Sequence, residues 1–378
     1  MRIVIAGDFV PNLRVAKCIS EGVNFVDDRR INLVTCADYS ILNLESPIVY
    51  SPKAAPIEKA GPNLCCSKDT ADCIKRMGFN CVTLANNHFM DYGEAGVIDT
   101  LEACRGINLD IVGGGIDGEE SSQTLYQRIG DKTLAIINCC EHEFSIASTA
   151  TAGSNPLDPI RQYYSIKEAK QKADFVIVIV HGGHETCQLP SVRMQDTYRF
   201  FIDIGADAVV NHHQHCHSGY EVYNNKPIFY GLGNFCFDSF SKLYGDNWNY
   251  GFLLSLNLCD DSIRFELYPY SQCLDSPMVK LIDERENFEK HIAELNETIN
   301  DSQNLKSKLA EFYSLSLNSV DNLLEARRGR SFTRFFLKGK MPKFLLNRRR
   351  ICQLINIIEC ESHRDRILYV LKKILNDN

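Results

Sequence analysis

Four of the ten histidines of this 378-residue chain fall between positions 212 and 217, in Asn211-His212-His213-Gln214-His215-Cys216-His217. Neutral imidazole is the commonest protein ligand for zinc, iron, nickel and related ions. The preceding run, Gly205-Ala206-Asp207-Ala208-Val209-Val210, reads as a helix end feeding a buried strand, so the histidines fall where a strand gives way to a loop. On an extended strand end His213 and His215 share a side and reach one centre, while His212 points the other way into packing. His217 lies on the ligand side, towards solvent or substrate. Taken alone, the stretch is also readable as a surface turn that binds metal adventitiously.

Other apolar runs end in the same kind of residue. Arg2 to Ala6 stops at Gly7-Asp8, where Asp8 either presents its carboxylate at a sheet end or caps a helix beginning near Pro11. In Ser40-Ile41-Leu42-Asn43-Leu44-Glu45, Asn43 and Glu45 share one face, a costly placement unless something satisfies them. Phe79 to Ala85 leads into Asn86-Asn87-His88 and Asp91-Tyr92-Gly93. The continuous apolar run Phe175 to Val180 suits a strand buried on both faces, and it delivers His181-Gly182-Gly183-His184-Glu185. Leu134 to Cys140 ends in Glu141-His142-Glu143, read as a solvated loop in preference to a layer behind the ligands. Gly113-Gly114-Gly115 lacks the Lys-Ser/Thr of a phosphate loop and is read as a turn.

Carboxylate, amide and imidazole groups at successive strand ends form a mixed oxygen and nitrogen donor set. In an α/β protein, ligands bind in the crevice at the strand C-termini. Such donors suit one or two divalent ions, Mn, Fe or Zn, rather than copper or iron–sulfur. Two ions about 3.5–4 Å apart would bridge a phosphate and generate hydroxide at neutral pH.

The elements that must position these groups are strands alternating with helices. Helices are expected over 69–78, 94–104 and 189–205, and an irregular Pro- and Lys-rich loop over 47–62, across the site. Strands near 226–230, 251–258 and 262–267 close the sheet region, and from about 280 the pattern is helical. The chain divides into 1–275 and a helical, basic extension at 276–378.

A net charge of −7 argues against a nucleic-acid partner. The charge is uneven: residues 321–378 hold 14 Lys/Arg against 6 Asp/Glu, a net of +8 that leaves −15 for the rest. Between Arg327 and Arg350 basic residues interleave with Phe and Leu. That pattern suits an acidic protein partner or an anionic membrane surface, against the plainer reading of an appendage packed on its own body. No apolar run approaches the length of a bilayer span. Sixteen cysteines without an export signal predict reduced, mostly buried thiols, hence a cytoplasmic protein, peripheral at most to the inner membrane face.

Gly7-Asp8, Asn43-Leu44-Glu45, Ala85-Asn86-Asn87-His88 with Asp91-Tyr92-Gly93, His181-Gly182-Gly183-His184-Glu185, His212-His213-Gln214-His215 and Leu232-Gly233-Asn234-Phe235 together resemble the capsule-synthesis CapA (poly-γ-glutamate synthesis) family. That family belongs to the calcineurin-like metallophosphatase superfamily. The resemblance covers about residues 1–270. It implies a four-layer α/β sandwich, two mixed sheets flanked by helices, with the metal site at the strand ends. Carried over by motif, Asp8 binds the first metal and Glu45 bridges. Asn87, His181 and His213 hold the second metal, and His215 completes the first. His88 is the general acid or phosphate stabiliser. Glu185 and His184 stand near the reacting groups, and Asn43, Asp91 and Asn234 orient the ligands. One departure stands out: the usual Asp-x-His start reads Asp8-Phe9-Val10, so the first metal loses a ligand that Asn43 either replaces or does not.

The leading expectation is a metal-dependent phosphoesterase-type hydrolase in bacterial surface-polymer biosynthesis, acting on a phosphorylated or anionic polymer. The alternatives are a non-catalytic accessory subunit of a polymer synthase and a metal-dependent amide hydrolase.

Overall fold

The computed structural model describes residues 1–239, 246–260, 262–315 and 348–377. Residues 316–347, most of the basic aromatic stretch, lie outside the described residues.

The first half runs β1 (Arg2–Val10), α1 (Leu13–Glu21), α2 (Asp28–Thr35), β2 (Tyr39–Leu44), α3 (Asp69–Arg76), β3 (Cys81–Thr83), α4 (Gly93–Gly106), β4 (Asp110–Val112), β5 (Gly114–Gly115), α5 (Gly118–Ser121), β6 (Leu125–Ile129), β7 (Lys132–Cys140) and β8 (Gly153–Ser154). It continues through α6 (Pro159–Lys172), β9 (Phe175–His181), α7 (Val192–Ile204), β10 (Ala208–His212), β11 (Tyr220–Tyr223), β12 (Lys226–Phe229), β13 (Asn234–Phe237), β14 (Tyr250–Cys259), β15 (Ser262–Gln272) and β16 (Val279–Leu281). The described residues beyond it form four further helices: α8 (Glu286–Asn300), α9 (Ser302–Ser314), α10 (Arg348–Glu359) and α11 (Glu361–Asp377).

One sheet has the order β16-β15-β14-β1-β2-β3-β4, with β13 also paired to β1. The other has the order β11-β12-β10-β9-β7-β6. Both mix parallel and antiparallel pairs. Side-chain alternation explains why the central strands read as unbroken apolar runs. In β9, Phe175, Ile177 and Ile179 face a core shared with Ile3, Ile5 and Ile41 of the first sheet. Val176, Val178 and Val180 face the opposite core, with Tyr198, Phe201 and Ile202 of α7. In the first sheet, Val4, Ala6 and Leu42 turn outward to Ile74 of α3 and Leu101 of α4. The layers are therefore helix, sheet, sheet, helix.

Two expectations change. Gly114–Gly115 is a short strand paired with β8, because a Cβ at Gly114 would meet the Phe89 ring at 2.6 Å. The first sheet runs on to Leu281, past the expected boundary at 275. The helices beyond it share the body's cores: Ile292 joins the intersheet core and Ile299 the outer one. Leu305, Leu309 and Tyr313 of α9 pack on Cys187. All 16 cysteines are free thiols, most of them buried.

Candidate metal centre

The strand ends converge because β1, β2, β9 and β10 deliver their last residues to one edge of the sandwich. Asp8 sits where β1 changes register with both β2 and β13. Gly7 makes this possible, since a Cβ there would lie 1.8 Å from the Gly233 carbonyl oxygen. Asp8 is buried, and its Oδ1 accepts from Asn43 Nδ2 at 2.6 Å and its Oδ2 from the His213 backbone N–H at 3.1 Å. The N-cap position of α1 is Asn12, and the first-turn N–H of Arg14 donates to Asp238 at 3.0 Å, so the helix-cap reading of Asp8 falls away.

Strand β10 ends at His212, and its ring Nε2 lies 3.0 Å from the Ala6 carbonyl, away from the cluster. His213 and His215 are not on an extended strand end. They adopt φ of +88° and +56°, a left-handed turn that costs about 1–2 kcal/mol per non-glycine residue. That turn, not strand alternation, aims both rings inward. His213 Nδ1 lies 3.0 Å from His181 Nε2, and His215 Nε2 lies 3.5 Å from Glu45 Oε1. His181 Nε2 is 3.4 Å from Glu45 Oε1 and 3.0 Å from Asn87 Oδ1. His217, expected to face solvent or substrate, is buried against Phe288 and His291 of α8.

The donors form two overlapping groups, Asp8/Glu45/His215 and Glu45/His181/His213, each with its ligand atoms within 4.8 Å of one another and sharing Glu45. Glu45 is 0% exposed, yet neither of its carboxylate oxygens has a hydrogen-bond partner among the described residues. An unpaired buried carboxylate is among the costliest groups to bury. Burial, with Asp8 and Glu185 adding to it, pushes its pKa well above the usual range despite His215. Burial opposes charge on the His215 ring too, but Glu45 and Asp8 outweigh it and raise its pKa to about 10. Against its own burial, the His215 hydrogen bond and the rings of His212 and His181 hold Asp8 well below the ordinary carboxylate range. Burial and the neighbouring His213 push His181 well down. Oxygen and nitrogen donors around an orphaned carboxylate suit a divalent cation, with Asp8, Glu45 and His215 on one side of the cluster and Glu45, Asn87, His181 and His213 on the other.

The surrounding residues sort by what they touch. Asn43 gives its amide to Asp8 and its Oδ1 accepts from Thr83 at 2.9 Å, so it orients Asp8. Val10, which stands where the usual start has His, is buried and apolar. Asn234 Oδ1 lies 2.9 Å from His215 Nδ1, and its amide donates to the carbonyls of His215 and Trp248. Asp91 Oδ2 holds His88 Nδ1 at 2.6 Å, leaving Nε2 as the ring nitrogen not engaged by Asp91. Burial lowers the His88 pKa, although Asp91 pulls the other way. Glu185 is exposed at the rim, grouped with His213 and His215.

His184 lines the cavity that His213 and Glu185 also line, and it is tied to α9 as well. Gly183, at φ +106°, turns the chain, and His184 Nε2 pairs with the Tyr313 hydroxyl of α9 at 2.9 Å. Burial drops its pKa to about 3, so the neutral ring anchors α9. Glu141-His142-Glu143 is also not a solvated loop. Buried Glu141 accepts from Arg193 at 2.6 Å and from the Ser362 backbone N–H of α11 at 3.1 Å. Burial opposes charge on Glu143, but His363 and His213 hold its pKa at about 2.

Sequence reasoning missed Lys59. Its side chain is 3% exposed, pairs with Asp91 and lies 3.1 Å from His88 Nδ1. The only signal was its place in a loop expected to cross the site. It also missed His363 and Arg366 of α11, which with His213, Glu185 and Phe312 line a cavity of about 260 Å³. A larger cavity of about 420 Å³, beside Leu309, Tyr313 and Tyr369, is lined by none of the candidate ligands.

The profile of the bacterial capsule synthesis protein family PGA_cap matches residues 2–239. The chain is 33% identical over 243 residues to the PGA biosynthesis protein CapA of Bacillus subtilis (strain 168), covering 62% of this chain and 64% of that protein. It is 31% identical over 247 residues to the capsule biosynthesis protein CapA of Bacillus anthracis, covering 63% of this chain and 60% of that one. The match thus spans less than two thirds of either relative. A crystal structure of a phosphatase from Mycoplasma pneumoniae has a TM-score of 0.44 and 16% identity, over 75% of this chain and 95% of that one. The profile match ends before α8, so the four described C-terminal helices lie outside it.

Proposed function

Because the chain belongs to the bacterial capsule synthesis protein family PGA_cap, we propose that it is a divalent-metal-dependent phosphoester hydrolase acting on a phosphorylated or anionic polymer in capsule or surface-polymer biosynthesis, of polysaccharide or poly-γ-glutamate. The observation that carries this reading is Glu45: a fully buried carboxylate without a hydrogen-bond partner among the described residues, between two donor groups. One or two ions of Mn, Fe or Zn, when bound, supply Lewis acidity to a phosphoryl oxygen and lower the pKa of water. The chain's own residues do the rest. Asp8, Asn87, His181, His213 and His215 hold the donor positions, with Asn43 and Asn234 fixing the orientation of Asp8 and His215. His88, oriented by Asp91, exchanges a proton with a substrate oxygen at Nε2.

Full-length chain loaded with Mn, Fe or Zn is expected to hydrolyse bis(p-nitrophenyl) phosphate. His213→Ala should lower the rate by about 100-fold or more, since even groups behind metal ligands are worth 10–100-fold. Equal rates for the two proteins overturn the proposal.

A second reading has its own observation. Val10 offers no donor where the superfamily start has one, which favours an accessory subunit that has kept the fold without turnover. Metal content after gentle isolation separates the two, because the accessory reading expects none. An amide substrate run beside the phosphodiester tests the third possibility, amide hydrolysis.

A further inference from the structure

We propose that α11 builds an anion-binding subsite beside the candidate metal centre, in which Arg366, with His363 beside it, receives a phosphate or carboxylate group of the substrate next to the one that reacts. The proposal rests on the reading of the centre as a place where substrate is held.

Helical spacing puts Ser362, Asp365, Arg366 and Tyr369 on one face of α11. That face is pinned to the body. The Ser362 N–H, in the first turn, donates to the buried Glu141 carboxylate, a favourable partner for a helix N-terminus. Arg193 bridges Glu141 and Asp365 at 2.6 and 2.8 Å. The Tyr369 ring packs at a tilt against Tyr313 with centroids 5.3 Å apart. These contacts fix the fourth member of the face, Arg366, on the wall of the 260 Å³ cavity that His213 and Glu185 also line.

The charges in that cavity are unevenly matched. His363 Nε2 lies 3.4 Å from Glu143 Oε1 and so already has a partner. Glu185 is exposed at the rim and belongs to the donor group with His213 and His215. Arg366 is half-buried and makes no ion pair or hydrogen bond with any described residue, unlike Arg193 behind it. A half-buried guanidinium without a partner is the one cation here that an incoming anion completes, and its planar fork suits a carboxylate or phosphate. His363, one turn earlier on the same helix, lines the same cavity.

Metal-loaded, full-length chain is titrated calorimetrically with inorganic phosphate and, separately, with a short oligoglutamate. Wild type is compared with Arg366→Gln, Arg366→Glu and Arg366→Lys. Arg366 holds no described partner, so these variants are expected to melt as wild type does, and circular dichroism checks it. Arg366→Gln should weaken binding at least tenfold, Arg366→Glu more, and Arg366→Lys less. Loss for phosphate alone assigns the subsite to a phosphoryl group, and loss for oligoglutamate alone assigns it to a carboxylate. Loss for both assigns it to anions of either kind. Unchanged affinity for both probes in Arg366→Gln and Arg366→Glu overturns the proposal. The titration needs no turnover. A wild type that hydrolyses phosphodiesters with unchanged variant affinities sinks the subsite alone, while variant losses without turnover sink the hydrolase reading alone.

Discussion

Glu45 is the residue on which the cluster turns. The fold holds its carboxylate at 0% exposure without a hydrogen-bond partner among the described residues, and the surrounding imidazoles offset only part of the cost. Function and stability should therefore pull apart at this position. In metal-free protein Glu45→Gln removes the ionisable group while keeping the shape, and we expect it to raise stability by about 1–3 kcal/mol. In metal-loaded protein the same change should lower both the bound metal per chain and the stabilisation that metal confers. Thermal melts with and without Mn, together with elemental analysis, check both halves, and a less stable metal-free variant contradicts the argument. The residue types of the cluster were readable from the chain: acid, acid, Asn-His, His and His-x-His each follow an apolar run. The backbone that aims them was not. No glycine or asparagine in His213-Gln214-His215 announces two left-handed residues, and the conformation is imposed by contacts such as the His213 N–H to Asp8.

At the scale of elements, α11 depends on a contact that titrates. His142 Nδ1 lies 2.7 Å from Glu361 Oε1 in the first turn of α11, and the hydrogen bond to Glu361 raises the His142 pKa, against partial burial. Asp158 and Glu359 add to the rise. A histidine whose folded pKa is raised gives stability that is fully present below its unfolded value, ordinarily about 6.5, and is lost as pH rises through the folded value. Docking of α11 should thus be tighter at pH 5.5 than at pH 8.5. Amide hydrogen exchange over residues 361–377, corrected for intrinsic rates, should show greater protection at the lower pH, and His142→Gln should flatten the difference. Protection independent of pH in wild type refutes it. The contact joins residues 219 positions apart, which is why Glu141-His142-Glu143 reads as a solvated loop from local sequence alone. By contrast β9 is legible without its neighbours. Only a strand covered on both faces tolerates Phe175 to Val180 without a polar residue, and the two cores on either side of it are what that run requires.

The whole molecule carries its charge unevenly, with +8 in residues 321–378 and −15 in the rest. Part of the extension is integral to the body, as Ile292, Ile299 and Tyr313 fill positions in its cores and on His184. The sequence alone does not reveal it, since an amphipathic stripe says that a helix is covered, not by what. For α10 the balance differs. Arg348 and Arg349 are exposed at its start, and Ile351, Ile355 and Ile358 are 40%, 42% and 66% exposed along one face. No described helix is long and apolar enough to cross a membrane. A helix with exposed arginines beside an exposed apolar stripe matches a surface that is itself anionic outside and apolar beneath, and each basic residue near such a surface is worth about 1 kcal/mol. Full-length chain should co-sediment with vesicles containing phosphatidylserine at low salt and not with purely phosphatidylcholine vesicles. Binding should fall as salt shortens the Debye length to about 3 Å at 1 M. Replacing Arg348 and Arg349 by Gln should weaken the electrostatic part, and Ile355→Ser and Ile358→Ser should weaken what survives in high salt. Equal recovery with both vesicle types would leave α10 as a helix whose charge serves only its own fold, with the Arg348–Glu58 ion pair at 2.7 Å as the visible sign of that role.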